Sequence, residues 1–243
     1  MSGHLGVSFA LAKGKVVREV PPTHLLRYAL SQLIPIRRPN AFKGQTHLPG
    51  LEYLATLKRH VAYESQLERQ ALQLMDIDRR LVDVLPQPFV IHYTDQGKAR
   101  RHIPDFLAEF QDGRRCIIDV KPREFAEQPR HAEAFAACQA VADLLDWAFL
   151  LQTEPSETRI MNTRWLLGFR RPPLGCAADL DQIEAVVATG SLTFGELLAK
   201  LGGHEALMRP RIFHLLCVGR LECDMDQQFD ESMLIKVARR EGT

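Results

Sequence analysis

Net charge is nearly absent from this sequence. Its 243 residues hold 31 Lys and Arg against 30 Asp and Glu, which leaves +1 with histidine neutral. No whole-molecule field draws such a chain to a polyanion, so any grip on nucleic acid has to come from local basic patches. Paired cysteines are missing too. Cys116, Cys138, Cys176, Cys217 and Cys223 form no CxxC pair and have mostly apolar neighbours, which excludes a zinc-finger spacing and predicts reduced core thiols rather than disulfides. No apolar run approaches membrane-spanning length, so no membrane partner is expected. Ala10-Leu11-Ala12 has the form of a signal-peptidase site, but the apolar segment before it is short and lacks a basic start. These absences point to the cytoplasm. What remains is 46% hydrophobic and 25% charged, suited to one large or two modest domains with ample core.

The rest is organised around residues 101–122, RHIPDFLAEFQDGRRCIIDVKP. Two apolar runs flank Asp112-Gly113, a strong local hairpin signal. Asp105, Asp119 and Lys121 are set into these runs, where carboxylates are depleted. Register decides their geometry. A two-residue loop would place the carboxylates on opposite faces. A three-residue loop over 111–113, with Gly113 left-handed as a bulge, pairs Phe110 with Arg114, sets Asp105 opposite Asp119 and keeps Lys121 on the same face. The bulged turn is therefore expected. Adjacent carboxylates repel unless a cation lies between them, and oxygen ligands favour Mg²⁺, with Mn²⁺ as the alternative. The lysine suits holding a water or neutralising phosphate charge. Exposed acids at strand ends would look the same by themselves.

Residues 1–50 carry Lys13, Lys15, Arg18, Arg27, Arg37, Arg38 and Lys43 against Glu19 alone, with prolines interspersed. They read as a basic arm, either lying along DNA phosphates or simply solvated. A strand is expected over 54–63. Ser65-Gln66-Leu67-Glu68 then has the form of a capping box opening a helix whose Leu67, Ala71, Leu74 and Met75 face the core. By spacing alone, Glu68 is a capping carboxylate. Residues 81–92 read as a strand interrupted by Pro86 and Pro88, followed by a polar turn over 93–101 that exposes Lys98, Arg100 and Arg101. An amphipathic helix over 130–146, a buried strand over 147–153 and a closing helix over 162–169 complete an α/β order. Arg170-Arg171-Pro172-Pro173 marks a boundary. Beyond it, helices over 179–188, 193–201 (opened by Thr193-x-x-Glu196) and 211–218, then two short strands, suggest a winged-helix module; a small helical bundle with a strand pair would look alike.

Taken in order, these motifs resemble the TnsA-like family, the endonuclease subunits of heteromeric transposases. The likeness runs through residues 63–69, 82–84 with 87–89, 101–107 and 118–122 (which hold Pro104-Asp105 and Asp119-Val120-Lys121, the PD-(D/E)XK nuclease motif), Asn162 with 166–172, and 214–216 followed by 219–221. It implies a restriction-endonuclease-like mixed sheet flanked by helices over 51–172, behind the 1–50 arm, then a mainly helical winged-helix domain over 173–243. It also implies a bacterial, Mg²⁺-dependent DNA endonuclease that cuts the 5′ (non-transferred) strand at transposon ends, beside a TnsB-like DDE transposase and a TnsC-like AAA+ ATPase. By the same likeness Glu68, Asp105 and Asp119 bind metal with the Val120 carbonyl, and Lys121 is the catalytic lysine. Lys98, Arg100 and Arg101 are the candidate DNA contacts. His102, a strand histidine beside a basic loop, reads as a phosphate or backbone contact outside the catalytic set. The rival readings are a stand-alone nuclease of this fold in repair or restriction, and a non-catalytic docking subunit.

Overall fold

The computed structural model describes residues 4–37, 49–175 and 177–238. The central hairpin forms with the bulged turn. β9 (Phe106–Phe110) and β10 (Arg115–Val120) pair antiparallel, with Arg115 opposite Glu109 and Ile118 opposite Phe106. The Phe110 N–H donates to the Arg114 carbonyl at 2.9 Å, and Gly113 takes φ +79°, a conformation open to glycine at no steric cost. The loop is therefore residues 111–113; the paired register runs to Ile118 opposite Phe106, and just beyond it the Asp105 carboxylate accepts from the Val120 N–H.

Around this hairpin a four-stranded sheet runs in the order β11-β10-β9-β6. It is fed by β4 (Gly50–Leu54), β5 (Arg59–Tyr63), α1 (Gln66–Ile77) and β6 (Leu81–Pro86) from the N-terminal side. After β10 come α2 (Arg123–Ala126), α3 (Pro129–Leu145) and β11 (Ala148–Gln152). β10 and β11 are parallel, and parallel neighbours need a crossover, which α3 supplies. Period-two alternation gives the sheet two buried faces. Leu107 and Ile117 pack with Cys138, Val141 and Ala142 of α3, while Phe106, Ile118 and Val120 pack with Leu72 and Ala71 of α1. Leu72 lies at the centre of the buried stripe of α1, and the expected core residue Leu74 is only half-buried.

The basic arm is replaced by structure. β1 (Leu5–Leu11) pairs with β2 (Val16–Val20), β3 (Leu33–Ile34) and β7 (Phe89–Asp95), and β7 pairs with β8 (Lys98–His102) in a second sheet ordered β2-β1-β7-β8. The physical reason is the run Leu5–Leu11, of which residues 6–10 are all buried. Val7 and Phe9 enter the α3-side core. The charges sit elsewhere: Lys13, Lys15, Arg18 and Arg27 are exposed, so charge described the rim of a sheet and not an arm. Arg38 and Lys43 lie outside the described residues, as does Cys176. The stretch expected as one strand over 54–63 is the β4–β5 hairpin. The polar turn over 93–101 is the β7–β8 hairpin, closed at Gln96-Gly97, both with positive φ.

The chain divides into two compact units, the residues up to Asp76 with Arg80–Glu154, and Ile77–Arg79 with the described residues from Pro155 on. The division falls at 154/155 and not at 172/173. α4 (Glu157–Leu167) belongs with the second unit because its Leu166 is buried in that unit's core with Ile183, Leu197 and Leu215. That unit continues as α5 (Ala177–Val187), β12 (Leu192–Thr193), α6 (Phe194–Leu201), α7 (Glu205–Cys217), β13 (Leu221–Cys223) and β14 (Leu234–Val237). Its sheet order is β12-β14-β13. The Thr193–Glu196 capping box forms in both directions, at 3.2 and 2.8 Å. α7 starts earlier than the expected 211 and runs through Pro210. Among the described residues no helix is long and apolar enough to cross a membrane.

Candidate active site

Asp105 stands immediately before β9, and Lys121 immediately after β10, so both lie at one end of the sheet. The Val120 N–H donates to Asp105 Oδ2 at 2.7 Å, which ties the two strand ends together across the hairpin. Asp119, the penultimate residue of β10, has no solvent exposure. Its Oδ2 accepts from Cys138 Sγ at 3.4 Å and lies 2.7 Å from His102 Nε2. Its Oδ1 is buried with no hydrogen-bond partner among the described residues. Lys121 is half-buried, and its backbone N–H donates to the Gln152 carbonyl at 3.0 Å.

Glu68 is 7% exposed in the first turn of α1. Its N–H donates to Ser65 Oγ at 3.2 Å, Ser65 Oγ donates to its Oε1 at 3.0 Å, and the Glu64 N–H donates to its Oε2 at 2.7 Å. Both carboxylate oxygens are thus engaged in capping the helix, with the reciprocal bond one residue earlier than in the usual box. Glu64 is itself ion-paired with Arg37 at 2.6 Å.

The electrostatics join these groups into one site. Burial, then the Asp119 carboxylate and more weakly Glu68, push Asp105 up to about 8, against the pull of the Lys121 ammonium and the Val120 N–H. Burial also raises Glu68, opposed by its capping bonds and by Lys121. The acids are therefore frustrated as they stand: crowded, desolvated, and balanced by a single nearby lysine. An orphaned buried carboxylate oxygen beside a carboxyl that resists ionisation is the donor chemistry that suits a hard cation. Asp105 and Asp119 have the right chemistry to hold one. Glu68 is near enough to feel the same field, but its oxygens are already spoken for by the helix end.

Two residues meet Asp119 in a way their sequence reading did not anticipate: His102, expected as a phosphate or backbone contact, and Cys138, expected as a core thiol. His102 lies opposite Ile91 in the β7–β8 pair, so alternation puts it on the buried face of its sheet, towards Asp119. Cys138 was expected as helix core, and it is core, but it also reaches Asp119. Burial, with the Asp119 carboxylate beside it, pushes the Cys138 thiol well up, so it donates as a neutral S–H. A ring nitrogen of His102, a carboxylate oxygen of Asp119 and Cys138 Sγ all lie within 4.8 Å of one another. Of the basic trio, Lys98, Arg100 and Arg101 are all exposed on β8. Lys98 and Arg100 pair with Asp95 and Tyr93, and Arg101 with His92, so Arg101 projects from the opposite face. Arg100 has an ion pair with Asp95 at 3.6 Å.

Residues 78–154 match the family model described as TnsA-like endonuclease N terminal. The matched segment runs from β6 through β11 and contains Asp105, Asp119, Val120, Lys121, His102 and Cys138, but not Glu68. No curated protein matches the chain. Over residues 78–154, where the paired carboxylates and the lysine are assembled, the chain is similar to the TnsA-like endonucleases, as its motifs implied.

Proposed function

We propose that this protein is the metal-dependent DNA endonuclease subunit of a heteromeric transposase, cleaving the 5′ (non-transferred) strand at transposon ends. The observation that carries the reading is the placement of Asp105, Asp119 and Lys121 at one sheet end inside the segment that matches the TnsA-like family. In this reading Asp105 and Asp119, with the Val120 carbonyl, would hold Mg²⁺ or Mn²⁺, and Glu68 would join them through lone pairs left over from its capping bonds at the start of α1. The bound cation supplies activation of the attacking water near neutral pH and neutralisation of charge on the scissile phosphate. Lys121 orients that water or pairs with the developing phosphate charge. Water forms a new bond to phosphorus while a P–O bond of the strand breaks, and the departing oxygen takes up a proton.

The remaining parts follow the same reading. Lys98, Arg100 and Arg101 on exposed β8 contact DNA phosphates. The second unit, with α5, α6 and α7 beside a three-stranded sheet, suits a winged helix that binds DNA or a partner protein. A TnsB-like DDE transposase handles the 3′ ends, and a TnsC-like AAA+ ATPase engages the pair. Net charge of +1 gives little long-range attraction for duplex DNA, which favours delivery of the ends by a partner over self-sufficient cutting. The test is a nicking assay on transposon-end duplexes with Mg²⁺, with and without the transposase. Cutting that appears only in the complex supports the reading. Efficient sequence-specific cutting by the isolated chain would support a stand-alone nuclease instead, and no cutting in either case a docking subunit.

A further inference from the structure

On the reading that Asp119 holds the divalent cation, we propose that His102 is a positioning residue that fixes the Asp119 carboxylate with Oδ1 turned to the metal. Three elements converge on this one side chain. β10 carries Asp119, β8 brings His102 from the neighbouring sheet, and α3 brings Cys138 from the helix layer. His102 Nε2 lies 2.7 Å from Oδ2, and the Cys138 thiol donates to the same oxygen at 3.4 Å. Oδ1 receives nothing among the described residues.

The asymmetry is informative. A carboxylate can exchange its two oxygens by rotating about its terminal torsion, which is broad and soft. Two donors on one oxygen stop that rotation and leave the other in a single direction. Since an ionised carboxylate only accepts, His102 must carry its proton on Nε2. The thiol is a weak donor, so His102 is the stronger anchor. His102 is also positioned independently of the acid it holds, because its strand is paired to β7 through Ile91. Groups that hydrogen-bond a metal-ligating carboxylate orient it, and losing them typically weakens metal binding 10–100-fold.

The alternative is a soft-metal site made by the three side chains themselves, since one ligand atom of each lies within 4.8 Å of the others. The hydrogen-bonded arrangement and the full burial of Cys138 favour the positioning role. Mn²⁺ binding to the full chain, followed by titration calorimetry at fixed pH, separates the two. His102→Leu keeps bulk and removes the donor; His102→Gln places an amide N–H near the position of Nε2. His102→Leu is expected to weaken Mn²⁺ binding about tenfold or more, and His102→Gln to stay within about threefold of the parent. Equal affinity in His102→Leu and the parent overturns the proposal. Should the Leu variant fail to fold, a tenfold loss in His102→Gln overturns it as well. Zn²⁺ binding that displaces Mn²⁺ and is lost in Cys138→Ala also overturns it, in favour of the soft-metal site. Failure of the parent chain itself to bind Mn²⁺ would instead remove the metal-nuclease reading, and this proposal with it.

Discussion

Asp105 Oδ2 accepts a 2.7 Å hydrogen bond from the Val120 backbone N–H, so the first carboxylate of the motif is clamped to the strand that carries the second. That clamp makes the spacing of the site a property of the hairpin register and not of loose side chains. It also leaves Asp105 in a poor place for a negative charge, beside Asp119 and largely out of water.

The first consequence is catalytic. Asp105→Asn, Asp119→Asn and Lys121→Ala are each expected to lower 5′-strand cleavage by about 10²-fold or more while the far-UV circular dichroism stays that of the parent. The amide replacements preserve shape, so loss of activity reports charge. Parent-level nicking by any of the three would remove that residue from the site.

A second consequence is a pH dependence of stability without metal. Asp105 is raised in the folded chain to about 8 from an ordinary value near 4, so the native state binds the extra proton between those limits. Its contribution is fully present below about pH 4 and is lost as pH rises through about 8. The thermal midpoint in EDTA should therefore fall from pH 5 to pH 8.5. Asp105→Asn should flatten that slope, and Mn²⁺ should restore the midpoint most at the alkaline end. A midpoint that rises across this range in EDTA would contradict the assignment.

Glu68 allows its two roles to be separated. Its hydrogen bonds to Ser65 and to the Glu64 N–H cap α1, so Glu68→Ala is expected to cost about 1 kcal/mol in chemical denaturation. Glu68→Gln keeps an acceptor oxygen and is expected to recover most of that. If Glu68→Gln is stable yet inactive, the carboxylate acts beyond capping; if it is stable and active, the cap is its whole role.

How much of this was legible beforehand depended on whether the signal was local. The β9–β10 register was readable because Gly113 and the need to bring Asp105 opposite Asp119 both select the three-residue loop. The Thr193–Glu196 cap was readable because its partners lie within one turn. β1 was not, because its apolar run is buried on both faces and lacks alternation, and the lysines and arginines that follow it outnumber the acids. His102 and Cys138 were not, because their relation to Asp119 exists only once β8 is paired with β7 and α3 is laid on the sheet.

The second unit gives a prediction about boundaries. Leu166 on α4 is buried with Ile183, Leu197 and Leu215, whereas Leu174 is 98% exposed. We expect trypsin to cut after Arg170, since the Arg171–Pro172 bond resists it, without releasing α4, and a fragment ending at Glu154 to be better folded than one ending at Pro172. The reverse order of stability, measured by thermal melts of the two fragments, would place α4 with the first unit.

The most direct measurement is strand-resolved cleavage of a labelled transposon-end duplex by the parent chain and by Asp105→Asn, each with the TnsB-like transposase and Mg²⁺. A 5′-strand cut is expected in the parent that disappears in Asp105→Asn while the 3′-strand cut by the transposase persists. A 5′-strand cut undiminished in Asp105→Asn would contradict it.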